Sequence, residues 1–60
     1  MIKVSTVIYS HLSDVAIEMS FNQETAQHRL NFVKYLISTY PNTSTEVDID
    51  EVYRNWQKSK

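Results

Sequence analysis

From position 2 the chain alternates. Ile2, Val4, Thr6 and Ile8 fall on one side of an extended segment, and "IKVSTVIY" is dense in β-branched residues, which suit a pleated, half-buried surface. The pattern predicts a strand over residues 2–9. A polar stretch, "SHLSD", follows, after which Val15, Ile17, Met19 and Phe21 alternate with Ala16, Glu18, Ser20 and Asn22. The simplest expectation is a β-hairpin. A second reading stays open for residues 12–20, because Leu12, Val15, Ala16 and Met19 also share one face of a short helix.

Beyond Phe21 the period lengthens. Asn22 can cap a helix, with Glu24 in the first turn where exposed amides favour an acid. Ala26, Leu30, Val33, Ile37 and Tyr40 then recur at gaps of four and three, with Leu36 widening the stripe, which predicts one helix over residues 23–39. Pro41 disfavours helical geometry at the residue before it and ends the run. "PNTSTE" is a polar connector with room for a brief extended piece at residues 45–47. Asp48 and Glu51 form a capping-box-like pair, and Ile49, Val52, Tyr53 and Trp56 mark the apolar face of a short closing helix. The expected architecture is α+β with the order ββαα: a small hairpin, a long amphipathic helix and a short C-terminal helix in one domain spanning residues 1–60.

Composition narrows the function classes. Sixty residues lie near the lower size at which a hydrophobic core alone sustains a fold, so self-association into a homo-oligomer, or capture by a larger protein partner, is expected. With 6 Lys plus Arg against 7 Asp plus Glu, no global field draws the chain to nucleic acid or to an acidic membrane. The absence of cysteine removes disulfides, thiolate metal sites and thiol nucleophiles together. The N-terminal segment lacks the sustained apolar stretch of a signal peptide or membrane span, so a soluble, cytoplasmic chain with no membrane partner is expected. Glycine is absent as well, so any reversal must use Ser, Asp and Asn in place of the glycine-dependent hairpin turns.

Candidate chemistry is sparse. Ser10, His11, Ser13 and Asp14 are the residue types of a nucleophile, base and orienter, but they need a concave site with oxyanion donors that a short loop does not supply. No catalytic residue is assigned, and an enzyme is not expected. His11 and His28 have no metal-ligand spacing around them, and "EVDIDE" lacks the glycine and distal acid of a calcium loop, so neither metal nor cofactor is expected.

Two binding surfaces remain. His28, Phe32, Tyr35 and Thr39 cluster on the side of the long helix away from Ala26, Leu30, Val33 and Ile37. An aromatic pair outside the core is the composition of a protein interface, so this face is the expected partner-binding site. If the closing helix instead folds across it with Tyr53 and Trp56, the same face is core. The alternative surface is the C-terminal set Arg54, Lys58 and Lys60, which would contact phosphates in a small nucleic-acid-binding regulator. The leading expectation is a non-enzymatic protein-binding module that modulates or inhibits a larger partner. In small size, missing cysteine and glycine, and lack of a catalytic constellation, the chain resembles in type the accessory proteins with which bacteriophages bind and inhibit host proteins.

Overall fold

A computed structural model of the chain describes residues 1–59. Its elements run β1 (Ile2–Lys3), α1 (Val4–Glu18), α2 (Gln23–Thr39), β2 (Glu46–Val47) and α3 (Ile49–Lys58). The protein is a small α+β fold, but the order is β-α-α-β-α and not ββαα. The expected hairpin over residues 2–21 is almost entirely helix.

The reason lies in which period buries apolar surface. Val4, Val7, His11, Val15 and Glu18 recur three and four apart, and in α1 this set faces α2, with Val4, Val7 and Val15 all buried. The alternation read as a strand is left pointing outward: Ile17, Met19 and Phe21 are all exposed. β-branched residues cost only a few tenths of a kcal/mol each in a helix. A helix also satisfies its own backbone, whereas a two-stranded sheet leaves two open edges. Without glycine the tight hairpin turns that would have favoured strands are unavailable.

Of the strand expected over residues 2–9, only Ile2–Lys3 is extended. β1 pairs antiparallel with β2 in the register Ile2 to Val47 and Lys3 to Glu46, so the extended piece expected at residues 45–47 is real but shorter. The connector also finishes the start of α1: Val4 N–H donates to the Thr45 carbonyl at 2.9 Å and Ser5 N–H to that of Thr43 at 3.0 Å. Those bonds replace a side-chain cap, which Lys3 does not provide.

α2 and α3 follow their sequence signals closely. Asn22 Oδ1 accepts from the amides of Glu24 at 3.1 Å and Thr25 at 3.2 Å, and α2 ends where Tyr40 precedes Pro41. Asp48 caps α3 as expected, but its Oδ1 accepts from the Asp50 amide at 3.1 Å and not from Glu51, the residue of the expected capping-box pair. The turn between α1 and α2 closes with Phe21 N–H on the Glu18 carbonyl at 3.0 Å, and no described residue has a positive φ.

α1 and α2 form a helical hairpin, and α3 lies across one side of it. Val4 and Val7 of α1, Phe32 and Leu36 of α2, Val47, and Val52 and Trp56 of α3 make one buried cluster, edged by Ile8, Tyr35, Tyr40, Ile49 and Tyr53. Covering by α3 rotates the buried stripe of α2. Phe32 and Leu36 become its centre, while Ile37, expected in the core, is 54% exposed.

Candidate functional site

The face His28, Phe32, Tyr35, Thr39 lies mostly beneath α3. Phe32 has no exposed surface. Its ring meets His11 and Trp56 at 5.0 Å, Tyr53 at 5.2 Å and Tyr35 at 6.3 Å between centroids. His28 is half-buried, shares a 2.7 Å hydrogen bond between its Nε2 and Tyr53 Oη, and packs its ring 5.0 Å from Trp56. Tyr35 is half-buried with its ring 6.3 Å from Trp56. Thr39 is the member of the set that is exposed. The aromatic pair that stood out as leftover on a helical wheel is what the amphipathic α3 requires as its docking surface.

Beside this aromatic layer sits a polar group that only the helical form of α1 could assemble. Arg29 of α2 reaches across to α1: Nε contacts Glu18 Oε2 at 2.9 Å and Nη1 contacts Asp14 Oδ2 at 3.2 Å. Nη1 also lies 3.2 Å from His11 Nδ1. A guanidinium can only donate, so Nδ1 is the acceptor and the neutral His11 ring carries its proton on Nε2. Burial, and then the Arg29 charge, hold the His11 pKa below its ordinary value of 6.5, against the opposing pull of Asp14 and Glu18. His28 of α2 adds to the lowering, and Asp50, Tyr53 and Arg54 of α3 line the adjoining cleft.

The sign of the linkage follows. The unfolded chain binds a proton at His11 more readily than the folded one, so this group's contribution to stability is complete above pH 6.5 and is lost as pH falls from there through the depressed folded value. Urea midpoints measured across that window should fall with falling pH, and His11→Gln should flatten the slope. A slope unchanged by the substitution would assign the dependence elsewhere.

Of the other candidates, Ser10, His11, Ser13 and Asp14 lie on α1, with His11 and Asp14 engaged by Arg29. Among the described residues no group of three or more His, Asp or Glu side chains is placed to hold a metal ion. Arg54 and Lys58 are both exposed on α3, one turn apart, but Asp50 precedes them on the same line and Glu51 stands beside it. Lys60, the third member of that basic set, lies outside the described residues. No described helix is long and apolar enough to cross a membrane.

The surface left open is on the other helix. Asp14 and Glu18 are the acids of α1, both turned to Arg29. Its exposed residues, Ser5, Thr6, Tyr9, Ser10, Leu12, Ser13, Ala16 and Ile17, are all uncharged. The run continues into the turn, where Met19 is 62% and Phe21 87% exposed. Next to them a cleft of about 290 Å³ opens between the helices, lined by Val15, Met19, Ala26 and Leu30 and rimmed by the uncharged Gln23 and Gln27. Reading residues 2–21 as strands hid this surface. The signal that marks it is the scarcity of charge between Val4 and Gln23, which becomes meaningful once that stretch is a helix with a solvent side. Comparison of the chain with protein-family models, with curated proteins and with solved structures finds no match.

Proposed function

We propose that the chain is a non-enzymatic protein-binding module that acts by occupying a surface of a larger protein, and that the end of the α1–α2 hairpin is where it does so. One observation carries the reading: Phe21 and Met19 stand 87% and 62% exposed at a turn beside an apolar cleft. Solvent-facing aromatic and methionine side chains have the composition of an interface centre. The uncharged rim of the cleft suits an apolar segment carrying no charge of its own, since a buried unpaired charge would cost several kcal/mol.

Capture from an extract of the source cells should retain a protein on the wild-type chain and lose it on a Met19→Ser, Phe21→Ser variant. The same protein, purified, should bind the variant about a hundredfold more weakly, the loss of roughly 3 kcal/mol typical of hot-spot side chains. Equal retention by both chains would overturn the reading.

A further inference from the structure

We infer that residues 4–10, the start of α1, have a second, extended state in which they stack with the same segment of other copies into a cross-β assembly once β2 and α3 release them. The fold is what keeps this segment helical.

Its sequence serves both states. "VSTVIYS" holds the β-branched Val4, Thr6, Val7 and Ile8 together with Tyr9, and contains no charge, proline or glycine. Uncharged segments of about six or seven residues with high strand propensity are the ones that stack into cross-β sheets. In a parallel, in-register stack each residue lies on its own copy in the next chain, so a charge would repel its neighbour at every repeat of about 4.8 Å. No residue of this segment does so. Alternation gives the strand two faces for packing sheet on sheet: Val4, Thr6 and Ile8 on one, Ser5, Val7 and Tyr9 on the other. A different sequence could share the backbone bonds but not this residue-on-residue register, which selects a second copy as the partner.

The helix, in turn, has little of its own to hold it. α2 and α3 each have a side-chain cap and an acid in the first turn, whereas α1 has neither. Its first amides are satisfied from a distant part of the chain, Val4 by the Thr45 carbonyl and Ser5 by that of Thr43. Its first buried side chains, Val4 and Val7, belong to the cluster that Val47, Val52 and Trp56 complete. Ile2–Lys3, directly before it, is already extended and paired with β2. Undocking β2 and α3 therefore removes the amide partners and part of the apolar cover together, beside a piece of strand that can lengthen.

The full-length chain tests this. Held at its urea midpoint and micromolar concentration, the wild type should form sedimentable fibres with a reflection near about 4.8 Å. Thr6→Lys and Ser38→Lys make the same change of charge at positions exposed in the fold, the first inside the segment and the second on α2. With each variant at its own urea midpoint, so that equal fractions are unfolded, Thr6→Lys should lengthen the lag tenfold or more and Ser38→Lys should match the wild type. Ser5→Lys, exposed one residue earlier, repeats the test should Thr6→Lys fail to fold. The protease-resistant core of the fibres should contain residues 4–10. A wild type that stays soluble, equal lags for the variants inside and outside the segment, or a core lying elsewhere in the chain would each overturn the inference. None of these readouts depends on partner binding at the turn, whose variants are Met19→Ser and Phe21→Ser.

Discussion

Phe32→Ala is expected to remove roughly 3 to 5 kcal/mol, the range for deleting a buried large aromatic. A chain of 60 residues holds roughly 3 to 9 kcal/mol in total, so the variant should be largely unfolded or close to it at room temperature. The size of the effect follows from position. Phe32 is fully buried and touches rings from all three helices: His11 on α1, Tyr35 on its own helix, and Tyr53 and Trp56 on α3. Truncation would leave a cavity at the point where the helices meet, and α3 lacks the backbone pairing to other elements that would close it. Thr39→Ala, on the same side of α2 but exposed, should stay within about 0.5 kcal/mol. Urea unfolding of both variants at a shared m-value makes the comparison. Near-equal midpoints would mean that α3 does not cover Phe32.

That contrast also marks where a single sequence is informative. α2 and α3 were legible because their signals are local and redundant: a cap at Asn22, a stop at Pro41, a cap at Asp48, and a 3.6-residue apolar period between them. α1 was misread because two periods coexist in it. The alternation Val15, Ile17, Met19, Phe21 is more conspicuous than the helical set Val4, Val7, His11, Val15, whose middle member is a histidine and so carries little weight in an apolar count. What decides between them is tertiary: α2 supplies a partner for the helical face, and Arg29 supplies one for Asp14 and Glu18. The fold of the N-terminal third also decides what surrounds the long helix. With a hairpin assigned to the N-terminal third, Phe32 and Tyr35 were surplus to the core. With a helical hairpin, they are where α3 docks, and the surplus apolar surface moves to α1 and its turn.

A chain ending at Asn42 is expected to lose cooperative folding altogether. Removing β2 and α3 uncovers Val4, Val7, Phe32 and Leu36, four of the seven residues of the central cluster, and deletes the other three, Val47, Val52 and Trp56. It also deletes the Thr43 and Thr45 carbonyls that accept the Ser5 and Val4 amides, so α1 loses both its apolar partner and its N-terminal bonds. Val15, Ala26 and Val33 would remain between α1 and α2, too little for a two-helix unit near the lower limit of independent folding. Trp56→Ala in the full chain grades the same effect, at roughly 3 to 5 kcal/mol. Thermal melts followed at 222 nm by circular dichroism, a standard helix wavelength, should show a sigmoid for the full chain and a shallow, featureless slope for the shortened one. A shortened chain that still melted with a sharp transition near the full chain's temperature would make α1 and α2 the folding unit and α3 an appendage, and the burial of Phe32 would then owe nothing to it.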